Sequence, residues 1–230
     1  MTPVLQLVAI RKNYHSLRPL RVRELTIAPG ERVAISGIDG GAAEVMVNLV
    51  TGASLPDEGE VRVMGRTTAD IVDGDAWLAS LDAFGIVSPR SVLLESATIE
   101  QNIAMPFTLE IDPVPAEVSA RVKRLAASCG IADVGVVVGE ARPEVRARVH
   151  LARAIALTPT LLVLEHPTAA LPGGTQESYG RDLVTAIDGP KLAALIVTGD
   201  EKFARQVAHR ALRLDPATGA LAAPRSGWFR

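Results

Sequence analysis

Short apolar runs dominate the first third of the chain. Residues 4–10 (VLQLVAI), 23–28 (RELTIA), 32–36 (RVAIS) and 60–65 (EVRVMG) are rich in Val and Ile, and APGE and LPDEGE punctuate them. That pattern predicts β-strands separated by turns. A glycine-rich turn follows the third run, and residues 43–51 then predict a helix. FGIVS at 84–88 predicts a further strand. The period changes in the middle. PAEVSARVKRLAASCG opens with Pro115 and Glu117, stops at Gly130, and places Val118, Val122, Leu125 and Ala126 on one helical face. RPEVRARVHLARAIALTP opens with Pro143 and Glu144 and ends before Pro159, predicting a second helix. The last third alternates: a strand at 160–165, a helix near 176–187, a strand at 192–198, a helix near 200–209 and a strand at 211–214. Buried-type strands alternating with helices predict an α/β fold with a mainly parallel sheet covered on both faces. No internal repeat or low-complexity segment interrupts it. The tail AAPRSGWFR is expected to be loosely ordered.

Composition narrows the function classes. The chain has 230 residues, 48% of them hydrophobic and 22% charged, which suits one domain with a sizeable core and argues against disorder. A formal charge of -2 with dispersed Lys and Arg predicts no nucleic-acid partner. The single cysteine, Cys129, excludes an internal disulfide and fits a reducing compartment, where packing explains it better than chemistry. The N-terminus has no basic leader and alternates like a strand. Apolar runs such as LAALIV (192–197) are far shorter than the roughly 20 residues of a membrane span. A soluble, cytoplasmic protein is expected.

The chemistry centres on residues 33–50, VAISGIDGGAAEVMVNLV. A strand, a glycine turn and a helix are the layout of a phosphate-binding loop, whose pattern is G-x-x-x-x-G-K-[ST]. Gly37 begins the pattern, Asp39 lies within it, and Gly40 and Gly41 supply flexible backbone. Ala42 falls at the second glycine position, Ala43 at the lysine and Glu44 at the hydroxyl. Taken alone this is weak, because glycine turns between strands and helices are common.

Its context is more specific. GIVSPRSVLLESATIEQNI (85–103) links a strand to a helix, RVHLARAIALTPTLLVLEHPTAAL runs from a helix into a strand ending at Glu165 and His166, and LIVTGD (195–200) closes another strand. In this order and at these distances, the segments resemble the nucleotide-binding domain of ABC transporters over about residues 4–215. The resemblance implies a P-loop NTPase-like (RecA-like) α/β fold. Its mainly parallel sheet would carry an antiparallel β subdomain and a helical subdomain inserted at about 90–157, within a single domain spanning 1–230. It also implies a composite site in which two such domains sandwich ATP, and a groove near residues 84–107 that receives a short helix of a transmembrane permease. In that groove Val92, Leu93, Leu94, Ile99 and Ile103 are the apolar candidates, about half of them expected to fill the core instead.

The catalytic positions of that family fall on other residues here. The lysine falls at Ala43 and the magnesium-binding hydroxyl at Glu44. The glutamine after the fifth strand run falls at Pro89, and the signature sequence on ARPEV, Ala141 to Val145. The Walker B aspartate is Glu165 and the catalytic glutamate His166. The D-loop aspartate falls at Pro172 and the switch histidine at Gly199. Tyr14 matches the aromatic near adenine.

These exchanges have physical consequences. Charge-assisted hydrogen bonds of a phosphate-binding lysine contribute roughly 1.5–3 kcal/mol each. A carboxylate about 4 Å from a phosphate charge is repelled by about 4 kcal/mol at an effective dielectric near 20. Together they predict a loss of roughly 10³-fold or more in nucleotide affinity. Glu44, read as a first-turn residue, and Asp39 are both expected to serve the helix terminus that would otherwise face phosphate. Glu165 alone makes a poor magnesium site, His166 is expected to be structural, and the scattered histidines do not support zinc. In a composite site Pro143 removes an amide donor and Arg142 replaces a small hydroxyl.

The expectation is therefore a catalytically inactive subunit without a required cofactor, binding ATP and Mg²⁺ only if the altered site still accepts them. It would act as scaffold or regulator beside a permease and a second ABC ATPase subunit, on the cytoplasmic face of a membrane complex. The alternatives are a nucleotide-binding sensor or weak ATP-binding subunit in which Tyr14 stacks adenine, and an enzyme with repurposed chemistry at Glu44, Glu165 and His166.

Overall fold

The computed structural model describes residues 2–224. In chain order its regular elements are β1 (Leu5–Lys12), β2 (Leu20–Ile27), β3 (Arg32–Ser36), α1 (Gly40–Val50), β4 (Glu58–Val63), β5 (Arg66–Thr67), α2 (Gly74–Ser80) and β6 (Phe84–Val87). There follow α3 (Ile99–Ala104), α4 (Ala116–Ser128), α5 (Pro143–Ile155), β7 (Leu161–Glu165), α6 (Gln176–Asp188), β8 (Ala193–Val197), α7 (Glu201–Val207), β9 (Arg210–Leu214) and β10 (Leu221–Ala222).

The strands form two sheets. One is antiparallel, in the order β2-β1-β4-β5. The other runs β10-β9-β3-β8-β7-β6 and is parallel except at β10. Helices α3, α4 and α5 lie between β6 and β7 in the chain. This is the α/β architecture expected from the sequence.

The central parallel strands β3, β7 and β8 read as apolar runs with polar residues only at their ends, because both of their faces are covered. Every residue of β3, β7 and β8 is buried. The two-residue period still sorts their side chains. Ala34, Leu162, Leu164, Ala194 and Ile196 join a cluster with α3, α4, α5, α6 and α7. Val33, Ile35, Leu161, Val163, Ala193, Leu195 and Val197 join a second cluster with α1 and the antiparallel sheet. On α4, Val118, Val122 and Ala126 are buried, as their spacing predicts, and Leu125 is half-buried. Cys129 is buried, and desolvation pushes its thiol up to about 12, so it packs as an inert apolar group.

Several elements differ from expectation, among them the two-residue strand β5, which was not predicted. Helix α1 starts at Gly40, three residues before the predicted start, because Asp39 caps it. Helix α2 was not predicted: it buries none of its residues, so it leaves no apolar period, and Asp73 starts it by accepting from Ala76 N–H at 2.8 Å. A short strand, β10, follows β9 and pairs with it through Leu221 and Ala222. Of the tail expected to be loose, residues 225–230 lie outside the described residues. No helix among the described residues is long and apolar enough to cross a membrane.

The parallel arrangement sets the position of the site. Register places Ile35, Val197 and Glu165 in one row across β3, β8 and β7, with Val87 of β6 opposite Leu164. The segments leaving these strand ends therefore emerge on one edge of the sheet, where ligands of open α/β sheets bind.

Candidate functional site

The turn after β3 is Gly37, Ile38 and Asp39. Gly37 has φ +79°, and a Cβ there would lie 2.8 Å from the Leu214 carbonyl oxygen. Only glycine suits that position, and the reason is the approach of β9. Gly40 and Gly41 are not turn residues. They form the first positions of α1, a Cβ on Gly40 would meet nothing within 4 Å, and neither has positive φ. The expectation that these two supply a flexible loop is corrected: the helix absorbs them.

Asp39 is the reason. Its Oδ1 accepts from Ala42 N–H at 2.8 Å, and its carbonyl accepts from Ala43 N–H at 2.8 Å. The chain's own carboxylate thus occupies a donor at the helix terminus, as predicted for Asp39. Glu44 does not share that role. With the helix beginning at Gly40, Glu44 is past the first turn, which contains no acidic residue. Ala42 and Ala43 are buried, Ala43 completely, within the apolar cluster under α1. A lysine at 43 would start its side chain in that cluster.

Glu44 instead reaches an arginine. Its Oε2 lies 3.5 Å from Arg90 Nη1. The same guanidinium donates Nη1–H to Glu165 Oε1 at 3.0 Å and Nη2–H to Glu165 Oε2 at 2.7 Å. Glu165 ends β7 and is only 3% exposed. A carboxylate buried to that degree requires a charge partner, and a planar fork meeting both oxygens is the strong form of such a pair. One cation therefore joins α1, β7 and the segment after β6. A divalent ion at Glu165 would have to displace the guanidinium from both oxygens, so these residues do not fit a magnesium ion beside Arg90.

Sequence reasoning assigned Glu44 and Glu165 but missed Arg90. Arg90 follows Pro89 and is the only basic residue from Ser88 to Thr98, but nothing local ties it to Glu165, 75 positions away.

His166 turns the chain away from the strand. It has φ +45°, its N–H donates to the Val197 carbonyl at 2.8 Å, and its carbonyl accepts from Ala169 N–H at 3.0 Å. Positive φ is uncommon for a non-glycine residue. Its Nε2 is buried without a hydrogen-bond partner, so the imidazole is bonded to neither glutamate through that nitrogen. It borders a cleft of about 530 Å³ shared with Tyr179, whose hydroxyl is also unpartnered. Glu44 and Glu165 are brought together through Arg90, and His166 stays outside that arrangement.

Tyr14 is half-buried and leans on the start of α1, its Cε2 3.4 Å from where a Cβ on Gly41 would stand. It borders a cleft of about 280 Å³ with Leu17, Arg18, Arg21, Gly37 and Asp39. The ARPEV segment leads into α5. Arg142 stands at the cap without a capping hydrogen bond from its side chain, Pro143 is the first helical residue, and Arg142 pairs with Glu144 at 3.1 Å. Pro172 accepts from Thr175 N–H through its carbonyl, and Gly199 precedes Asp200, which caps α7 by accepting from Phe203 N–H at 2.9 Å.

Of the apolar candidates after β6, Leu93, Ile99 and Ile103 are buried in the core, while Val92 is 75% exposed and Leu94 43% exposed. A groove of about 320 Å³ is lined by Phe84, Ser91, Pro106, His150, Arg153 and Leu157.

Comparison with known proteins bears on this arrangement. The sequence profile of the family described as ABC transporter matches residues 20–169. The lipoprotein-releasing system ATP-binding protein LolD of Chromohalobacter salexigens is 31% identical over 214 residues, covering 89% of this chain and 86% of that protein. The sulfate/thiosulfate import ATP-binding protein CysA of Thermosynechococcus vestitus is 30% identical over 203 residues. The match covers 86% of this chain, which spans only 57% of the CysA length. Among solved structures, cbiO1 from Clostridium perfringens, part of the ABC transporter complex cbiONQ, superposes with a TM-score of 0.80 at 20% identity, over 96% of this chain and 88% of that one. The dimeric ATP-binding cassette MJ0796 bound to ADP and Pi superposes with a TM-score of 0.75 at 23% identity, over 97% and 100%. These two structures bear on the fold alone.

Proposed function

This chain belongs to the ABC transporter family, and we propose that it serves there as a nucleotide-binding-domain-like subunit that does not hydrolyse ATP. It contributes scaffold or regulation to a membrane transport complex instead of power. The observation that carries this reading is the double occupation of the phosphate-loop region by the chain itself. The Asp39 carboxylate takes the Ala42 N–H, and the Arg90 guanidinium takes both Glu165 oxygens and neighbours Glu44. An incoming nucleotide would meet an anion where phosphate needs donors, and its magnesium ion would meet a cation.

The partners follow from the family. The LolD and CysA relatives are named as ATP-binding proteins of release and import systems, and cbiO1 is part of a transporter complex. A transmembrane permease subunit and a second ABC ATPase subunit are the partners we assign, on the cytoplasmic face of the membrane. Val92 and Leu94, together with Leu157 on the rim of the groove, support a permease contact, because those side chains expose apolar surface that the fold does not cover.

Binding of labelled ATP with magnesium to the purified chain, followed by phosphate release, tests the reading. No saturable binding and no steady release are expected, and capture from membranes should recover a permease together with an intact cassette. Tight binding with turnover would overturn it. The cleft between Tyr14, Arg18 and Arg21 favours one second reading, weak nucleotide binding without magnesium. A thermal shift by ATP that survives EDTA and is lost in Tyr14→Ala would select it.

A further inference from the structure

We infer that Arg90 is a built-in counter-ion that fills the place of a divalent cation between Glu44 and Glu165 and thereby fixes the orientation of the segment 88–94. The first half rests on charge. Glu44 on α1 and Glu165 at the end of β7 both reach a single guanidinium, with contacts of 3.5 Å and of 3.0 and 2.7 Å. Two carboxylates facing one point form an oxygen-rich, doubly negative locus, the chemistry that hard divalent cations take. Here a side chain of the same molecule supplies the positive charge.

The second half rests on what Arg90 is attached to. Its own N–H donates to Ser88 Oγ at 3.2 Å, and Ser91 N–H donates to the Ser88 carbonyl at 2.9 Å, so the guanidinium projects from a closed turn. Beyond the turn, Arg153 Nη1–H donates to the Val92 carbonyl at 2.6 Å. Asn102, fully buried, accepts from Leu94 N–H at 2.9 Å and donates to the Leu94 carbonyl at 3.0 Å. The segment is thus held at one end by Arg90 and at the other by Asn102, with Leu93 plugged into the core and Val92 and Leu94 facing outward. The charge cluster at the strand ends and the exposed apolar edge are two ends of one short rigid piece. The presentation of that edge is set by a permanent ion pair, independent of any diffusible ligand. The inference rests on the reading above for the purpose of the edge, a contact with a permease, and not for its chemistry.

Amide hydrogen exchange of the full chain tests this, comparing wild type with Arg90→Ala in the presence and absence of millimolar Mg²⁺. In Arg90→Ala the amides of 88–94 are expected to exchange about tenfold faster or more, while those of β3 and β8 keep their wild-type rates. Mg²⁺ should protect the amides around Glu44 and Glu165 in the variant, without restoring protection at 88–94, and leave the wild type unchanged. Unaltered exchange at 88–94 in Arg90→Ala would overturn the positioning role. Failure of Mg²⁺ to act on the variant, or an effect of Mg²⁺ on the wild type, would overturn the counter-ion role. If Arg90→Ala does not fold, Glu44→Gln removes the outer partner alone and should raise exchange at 88–94 by a smaller factor; no rise overturns the bridge. ATP hydrolysis by the wild-type chain would refute the non-hydrolysing function without moving any of these exchange rates.

Discussion

The starts of α1 and α5 meet the same demand by different means. Each exposes backbone N–H groups that lack a helical partner and carry the positive end of the helix dipole. At α1 the demand is met by a hydrogen bond, from Ala42 N–H to Asp39 Oδ1. At α5 no side chain caps the end. Pro143 opens the helix with no N–H to satisfy, and Glu144 brings a carboxylate into the first turn, paired with Arg142. One end commits a donor and the other deletes one. An intramolecular anion and a proline are therefore alternative routes to a helix terminus that is stable without a bound phosphate, and the two sit on the two segments that resemble the halves of a composite nucleotide site.

Variants at the first terminus should have the larger effects, because more of the surrounding structure depends on it. Gly37→Ala puts a Cβ at positive φ against the Leu214 carbonyl. It should lower stability by about 3 kcal/mol, read as a shift in the urea midpoint. Ala43→Lys combined with Glu44→Ser reinstates the phosphate-loop residues, yet Ala43 is wholly buried. The double variant should lose about 2 kcal/mol through overpacking and show no ATP binding by calorimetry. Binding would mean that the helix start shifts to meet the nucleotide, which would erase the contrast between the two termini. Asp39→Ala removes the cap and should cost about 1 kcal/mol, with Asp39→Asn close to wild type in thermal melts. Glu144→Gln acts on the other terminus through the dipole and the pair with Arg142. It should cost about 0.3–0.5 kcal/mol, and the difference should vanish at high salt.

The fold was legible because its central parallel strands are wholly buried. β3, β7 and β8 are mostly apolar, with polar residues only at their ends, and α4 places Val118, Val122 and Ala126 on one face. Those are local signals. The start of α1 was not, because Asp39 and Glu44 both suit a helix terminus by type and only the cap geometry decides between them. Helix α2 left no trace in the apolar pattern, since all of its side chains remain at least partly exposed. Within the site, the loop residues could be found by the phosphate-loop pattern, and those at the end of β7 through the family resemblance. Arg90 could not, because its bond to Glu165 spans 75 positions of sequence and follows no period. A buried acid at a strand end states that a cation is needed without stating where in the chain it comes from.

The Arg90 bridge also changes how this region responds to its surroundings. A metal bound by two carboxylates obeys mass action, so its occupancy falls with dilution or chelation. A guanidinium carried on the same chain does not dilute. It is present at the fixed effective concentration that its tether sets, on the order of millimolar or above for short linkages. The joint between α1, β7 and the segment after β6 therefore has no dissociation constant against the medium, and its strength does not follow the concentration of any ligand.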